Sequence, residues 1–174
     1  MLEGSRIKIR LPEPADVDVL HRWENDPEIM RAGESAEPIS RDALVDFLKA
    51  YETLSLSDAG QQRWMICDIA NGNVLGTLDL FEYSRRHGRA GIGILIGEQE
   101  SRAKGFASEA LRLFLPFASS ELGLLQLWCL ISPSNKASIR LFEKNGFVKT
   151  GEHRQWVQDS GGYDDRWFYQ CLEL

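Results

Sequence analysis

The segment Arg102-Ala103-Lys104-Gly105-Phe106-Ala107 follows an apolar strand-like run and opens the longest helical pattern in the chain. A helix start presents backbone N–H groups without intrahelical acceptors, at the positive end of the helix dipole, so it suits a phosphate. Gly105 and Ala107 are small enough to let an anion approach the backbone, and Arg102 and Lys104 add positive charge. This is no Walker loop, because Lys104 precedes the glycine and no Gly-Lys-Ser/Thr occurs. An ordinary helix start carrying one glycine is the plainer alternative.

One strand later comes Ser132-Pro133-Ser134-Asn135-Lys136-Ala137-Ser138-Ile139-Arg140-Leu141-Phe142-Glu143-Lys144-Asn145-Gly146-Phe147. With the loop before it, this segment resembles the GNAT N-acetyltransferases. That family's pyrophosphate loop, Gln/Arg-x-x-Gly-x-Gly/Ala, is matched by Arg102-x-x-Gly105-x-Ala107. Its second element, Asn-x-x-(Ser/Ala)-x-x-Leu-(Tyr/Phe)-Glu-Lys-x-Gly-Phe, is matched from Asn135 to Phe147. Trp23-x-Asn25-Asp26-Pro27-Glu28 and Gly162-Tyr163-x-Asp165 extend the similarity towards the branch that holds ribosomal-protein N-terminal and spermidine N-acetyltransferases.

The resemblance implies acetyl-CoA as co-substrate. Backbone groups of Leu95, Ile96 and Gly97 would pair with the pantetheine arm, and the loop from Arg102 through Ala103, Lys104, Gly105 and Phe106 to Ala107 would wrap the pyrophosphate. Asn135 would hydrogen-bond the pantetheine, with Ser138 towards the thioester, Phe142 beside it and Lys144 near the nucleotide. Asn135 would equally satisfy local backbone at a helix start. Many relatives carry a tyrosine at the place of Phe142, whose phenol protonates the departing thiolate. Phenylalanine cannot, so Ser138, Tyr83 or a water would stand in, or the chain would be a CoA-binding sensor or scaffold with a degenerate site.

An ammonium must lose a proton before it attacks a thioester. Glu82, near the end of the strand before the central one, is the leading base, directly or through water; a solvated strand-end carboxylate is the plainer reading. Glu24, Asp26, Glu28, Glu34 and Glu37 would border the acceptor side, though a solvated acidic face also accounts for them. The amine would attack directly in a ternary complex. Its owner would be a small polyamine-like molecule or a protein N-terminus.

The elements that must hold these residues follow from periodicity and punctuation. Residues 7–11 alternate as a strand, and 15–25 form a helix that Asn25-Asp26-Pro27 ends. Ser40 caps a second helix. Residues 62–70 and 74–83 make a hairpin through Asn71-Gly72. Residues 90–96 form an apolar strand, 106–122 the longest helix, and 125–131 a strand that looks buried on both faces. A helix from Ser134 ends at Asn145-Gly146, and 147–157 and 165–172 are strands around Ser160-Gly161-Gly162. The expectation is a mixed, twisted α/β (α+β) sheet of about six to seven strands with helices on both faces, in a single domain spanning 1–174.

Length, composition and charge narrow the classes. The chain has 174 residues, 43% hydrophobic and 26% charged, which suits one globular domain. No apolar run reaches a membrane span and the start is no signal peptide, so a cytoplasmic protein is expected. The net charge of −6 disfavours nucleic acid, and the whole excess lies in the first 60 residues, with 13 acids and 7 bases. Cys67, Cys129 and Cys171 sit in apolar runs as small hydrophobes, and His21, His87 and His153 are scattered, so no metal site is assigned. Core packing accounts for Trp23, Trp64, Trp128, Trp156 and Trp167 more simply than a substrate cage does. Self-association into a homodimer or larger assembly is expected from the branch.

Overall fold

Asn71-Gly72 turns the chain as its type demands: Gly72 takes φ +76°, and strands β3 (Gln62–Asp68) and β4 (Val74–Ser84) pair antiparallel on either side. The structure is a computed structural model that describes residues 1–33, 37–159 and 161–174. Around this hairpin a sheet of eight strands is built, in the order β1-β2-β3-β4-β5-β6-β8-β7. The others are β1 (Leu2–Glu3), β2 (Ile7–Arg10), β5 (Arg89–Ile96), β6 (Gln126–Ile131), β7 (Val148–Asp159) and β8 (Gly162–Cys171). The extra strand over the expected count is β1, a two-residue edge too short to give a period.

Helices α1 (Val17–Glu24) and α3 (Arg41–Thr53) match the expected pair, and the Ser40 hydroxyl accepts from the Ala43 N–H at 3.2 Å. Two short helices add to them. Asp26, whose carboxylate accepts from the N–H groups of Glu28 and Ile29, starts α2 (Pro27–Ala32), so the Asn-Asp-Pro that stops one helix also opens the next. Ser55 caps α4 (Leu56–Ala59). Helix α5 (Phe106–Ser120) follows the phosphate-loop segment, and α6 (Lys136–Lys144) begins two residues later than expected, capped by Asn135.

Helices α5 and α6 cover one face of the sheet. Leu111, Phe114, Ile139 and Phe142 meet Leu78, Leu80, Ile92, Leu127 and Tyr169 there. On the opposite face α1 and α3 pack Leu20, Trp23, Leu44 and Leu48 onto Met65 and Cys67. That second layer stops short of β6, β8 and β7, whose surface there forms a cavity wall. Strand β6 is therefore not buried on both faces: Leu127, Cys129 and Ile131 are buried, whereas Gln126, Trp128 and Leu130 are half-buried on the cavity side.

Glu109 ties the two ends of this scaffold. Its carboxylate accepts from the Arg6 backbone N–H at 2.8 Å, Arg6 Nε at 2.9 Å and the Ser5 hydroxyl at 3.1 Å. Burial alone would raise its pKa, but the Arg6 and Ser5 donors outweigh it and hold the carboxyl below its ordinary range. A depressed folded pKa gives stability that is present above the unfolded carboxyl pKa and lost as pH falls through the folded value. Glu109→Gln is expected to cost about 2 kcal/mol at neutral pH. The difference from wild type should shrink in acid, as followed by urea melts across pH.

Candidate active site

The single parallel pair in the sheet holds for only three residues, Arg89↔Gln126, Ala90↔Leu127 and Gly91↔Trp128. Beyond Gly91 the strands part, and the opening runs through a cavity of about 1780 Å³ that passes between them. Its lining includes Ile92–Ile96 of β5, Trp128–Ile131 of β6, the start of α5 and one side of α6.

The ladder with β4 decides which groups face this opening. Gly97 N–H donates to Leu75 O at 3.0 Å, flanking the Gly76↔Ile96 pair, which marks that pair as the non-hydrogen-bonded kind. The backbone groups of Ile96, and two residues earlier of Ile94, therefore point away from β4 and into the gap. Those of Leu95 and Gly97 are directed at β4. Of the three residues expected to offer backbone to an extended ligand, Ile96 turns its backbone into the gap, as Ile94 does, while Leu95 and Gly97 turn theirs to β4. Gly97 has a different necessity: a Cβ there would lie 2.0 Å from the Trp23 ring.

At the wide end of the gap the chain turns sharply. Ala103 and Gly105 take φ +60° and +86°, and left-handed residues of this kind before a helix start are the backbone pattern of an anion cradle. Of the two cations expected to help, Arg102 is engaged within the protein. Arg102 donates from Nε to Ile96 O at 3.1 Å and from a terminal nitrogen to Gly97 O at 3.3 Å, and pairs with Glu28 at 3.1 Å. It ties the loop to the end of β5 instead of reaching outward. Lys104 lies outside the lining, and its carbonyl accepts from Arg6 at 3.0 Å. Phe106 and Ala107 line the cavity beside Gly105.

Asn135 uses its carbonyl oxygen to cap α6, accepting from Ser138 N–H at 3.0 Å. This leaves its amide N–H pair uncommitted among the described residues. Ser138, Phe142 and Lys144 also line the cavity. Phe142 is 4% exposed and packs edge-on against Phe147 at 4.9 Å. Tyr83 does not serve as a nearby acid: its hydroxyl donates to Leu122 O at 3.0 Å, against the core and away from the cavity.

On the acceptor side the predicted carboxylates meet different fates. Glu24 pairs with Arg63 at 2.6 Å, Asp26 caps α2, Glu28 holds Arg102, and Glu37 is exposed outside the lining. Glu34 falls outside the described residues. Glu82 lines the cavity at φ +49°, where the β4–β5 register shifts between Phe81 and Ser84. Asp79, which sequence reasoning missed, pairs with Gly93 across the ladder and so stands inside the opening. It accepts from Arg63 Nε at 2.6 Å and from the Thr77 hydroxyl at 3.1 Å. Burial lifts its pKa above the ordinary carboxylate range despite the opposing pull of Arg63. Alternation along β4 puts Thr77 and Asp79 on one face, a usable signal; the partner Arg63 comes from another strand and gave none.

The tryptophans divide. Trp23 and Trp64 are buried as expected, but Trp156 is 56% exposed, and both Trp128 and Trp156 line the cavity. Cys67, Cys129 and Cys171 are all buried free thiols. Burial pushes the thiol of Cys129, the cysteine that lines the cavity, well above its ordinary pKa. Among the described residues no cluster of His, Cys, Asp or Glu has metal-site geometry, and no helix is long and apolar enough to cross a membrane.

The sheet splays after its parallel pair, with the tight Ala103–Gly105 turn at the wide end, and sequence comparison gives the class. The profile of the acetyltransferase (GNAT) domain matches residues 6–148, and the chain belongs to that family. It is an acetyl-CoA-dependent N-acetyltransferase. It is 29% identical over 153 residues to the spermidine N(1)-acetyltransferase of Escherichia coli (strain K12), covering 87% of this chain and 78% of that protein. It is 27% identical over 172 residues to the uncharacterized N-acetyltransferase p20 of Bacillus licheniformis, covering 99% and 96%. The crystal structure of spermidine N-acetyltransferase from Vibrio cholerae in complex with CoA and spermine superposes with a TM-score of 0.87, at 25% identity over 97% of this chain and 96% of that one.

Proposed function

We propose that this enzyme moves the acetyl group of acetyl-CoA onto the primary amine of a small molecule, by direct attack with both substrates bound. The observation that carries the reading is the splayed β5–β6 gap with the Ala103–Gly105 cradle at one end and Asp79 towards the other. The residues present fit acetyl-CoA: cradle N–H groups for the pyrophosphate, and the Ile94 backbone, the Ile96 N–H and the Asn135 amide for the amide-bearing arm. Acetyl-CoA supplies the activated acyl group. Its phosphates belong in the cradle, so its reactive end belongs near the vertex, Gly91/Trp128.

Asp79 and Glu82 bracket that vertex. Asp79, with its raised pKa, is suited to take a proton from the incoming ammonium, and Glu82 to draw the cation in. Overall a C–N bond forms and a C–S bond breaks. The ammonium gives up two protons, one to solvent through the base and one to the thiolate. Ser138 is the lining hydroxyl we assign to that second transfer; a thiol pKa of about 8.5 makes even an unassisted thiolate a tolerable leaving group. The buried, protonated Cys129 is no acyl carrier. Similarity to spermidine acetyltransferases supports a small amine over a protein N-terminus. The branch also suggests a homo-oligomer.

The test is thiol release from acetyl-CoA across polyamines, aryl amines, amino sugars and peptides with free N-termini. Release that depends on one amine class is expected. Asn135→Ala should raise the KM for acetyl-CoA roughly tenfold, the loss of one or two hydrogen bonds, with a smaller change in the amine KM. Tight acetyl-CoA binding with no release for any class would favour the sensor reading.

A further inference from the structure

Behind the turn at Ala103–Gly105 stands a cation from the other end of the chain, Arg6, between β1 and β2. Its backbone is fixed on both sides. The Arg6 N–H donates to Glu109 at 2.8 Å, and its carbonyl accepts from Ile69 N–H at 2.9 Å. From that base the guanidinium reaches along one stretch of chain. Nε donates to Glu109 at 2.9 Å, Nη1 donates to Lys104 O at 3.0 Å, and the group lies over the Phe106 ring at 4.9 Å. Nη2 lies 3.3 Å from the place a Gly105 Cβ would take. Arg6 therefore holds the residue before Gly105, the residue after it and the first turn of α5.

The bond to Lys104 O decides where another group points. The Lys104–Gly105 peptide is trans and planar, so its carbonyl and the Gly105 N–H lie in one plane and point in opposite directions. With the carbonyl held by Arg6, that N–H is turned away from Arg6. Gly105 lines the cavity, whereas Arg6 and Lys104 do not. Among the described residues the Gly105 N–H has no acceptor. A free N–H at the start of a helix is a donor for an anion. Glycine is the residue least able to hold this plane unaided, because it visits left- and right-handed backbone about equally. Neutralising Glu109 would need only a positive charge; reaching the Lys104 carbonyl and the Phe106 ring as well uses the planar fork of an arginine.

We propose that Arg6 is a positioning residue for acetyl-CoA: it clamps the Lys104–Gly105 peptide so that the Gly105 N–H meets a diphosphate oxygen. The clamp acts on the diphosphate and leaves the reacting atoms alone. It rests on the transferase reading and on the cradle, and names the residue that keeps the cradle in shape.

The test compares acetyl-CoA with S-acetylpantetheine, which carries the same thioester and arm but no diphosphate, using whichever amine of the panel above supports thiol release. A loss of folded enzyme lowers kcat/KM for both by the same factor, so their ratio reports the diphosphate alone. Arg6→Gln should cut that ratio about tenfold, the worth of one hydrogen bond to a charged group, through the KM for acetyl-CoA and with kcat unchanged. Arg6→Lys keeps a positive charge beside Glu109 and should keep the urea midpoint. It should still lose most of the ratio, because one ammonium does not reproduce the fork. Calorimetry with CoA should show the same losses without turnover, and it decides the matter should no amine be acetylated and the transferase reading fail. A wild-type enzyme that uses both thioesters equally well would refute the cradle and the clamp with it. A wild-type preference for acetyl-CoA that survives intact in both variants, whatever their stability, would overturn the clamp alone and leave Arg6 as a partner for Glu109.

Discussion

Gly105→Glu is expected to weaken acetyl-CoA binding by at least a hundredfold in calorimetry while the fold persists. Gly105 sits at φ +86°, where a residue with a Cβ is strained by about 1–2 kcal/mol, and that Cβ would lie 3.3 Å from an Arg6 guanidinium nitrogen. Charge repulsion outweighs this strain. A carboxylate at the mouth of the cradle would face the pyrophosphate, and two like unit charges about 4 Å apart near a protein surface repel by about 4 kcal/mol. Gly105→Ala separates the two causes, since it carries only the strain and should lose about tenfold. If the glutamate and alanine variants bind equally, the cradle does not hold the phosphates.

The second large effect is expected at Asp79. Asp79→Asn keeps the shape and leaves Arg63 its bond to Glu24, but removes the proton acceptor inside the gap. The kcat/KM near neutral pH should fall by about 10²–10⁴, the usual contribution of general-base catalysis. At a pH where much of the amine is already uncharged, the variant should approach wild type. The wild-type rate should rise on the acid side through a pKa above the ordinary carboxyl value, because burial raises that of Asp79. Glu82→Gln should instead act mainly on the KM for the amine. A variant that matches wild type across the whole pH range would remove Asp79 from the reaction.

What the sequence disclosed and what it hid divide by how far apart the cooperating residues lie. The hairpin at Asn71-Gly72, the Ser40 cap and the stop at Gly146 (φ +89°) are local events, in which neighbours determine backbone geometry. The helix starts beside Gly105 and Asn135 were legible for the same reason. What stayed hidden is what a second strand decides. The phase of β5, which sends Ile94 and Ile96 into the gap and keeps Leu95 and Gly97 on β4, depends on how β4 pairs with it. Arg102 and Lys104 read as phosphate ligands because their charge is visible in sequence, whereas the carbonyls and Glu28 that occupy Arg102 are not. The cavity wall draws on β6, β7 and β8, and its exposure follows from where α1 and α3 stop covering the sheet. No single stretch of sequence records that.

The central claim is that acetyl passes from CoA straight to an amine in the gap between β5 and β6. It is tested most directly by a single turnover with enzyme in excess over acetyl-CoA, in which the masses of amine and protein are followed together with free thiol. Acetylated amine should appear at the rate of thiol release, only when amine is present and with the protein mass unchanged, and Gly105→Glu should show neither product. Thiol released without amine, or an acetylated protein that forms before the acetylated amine, would contradict it.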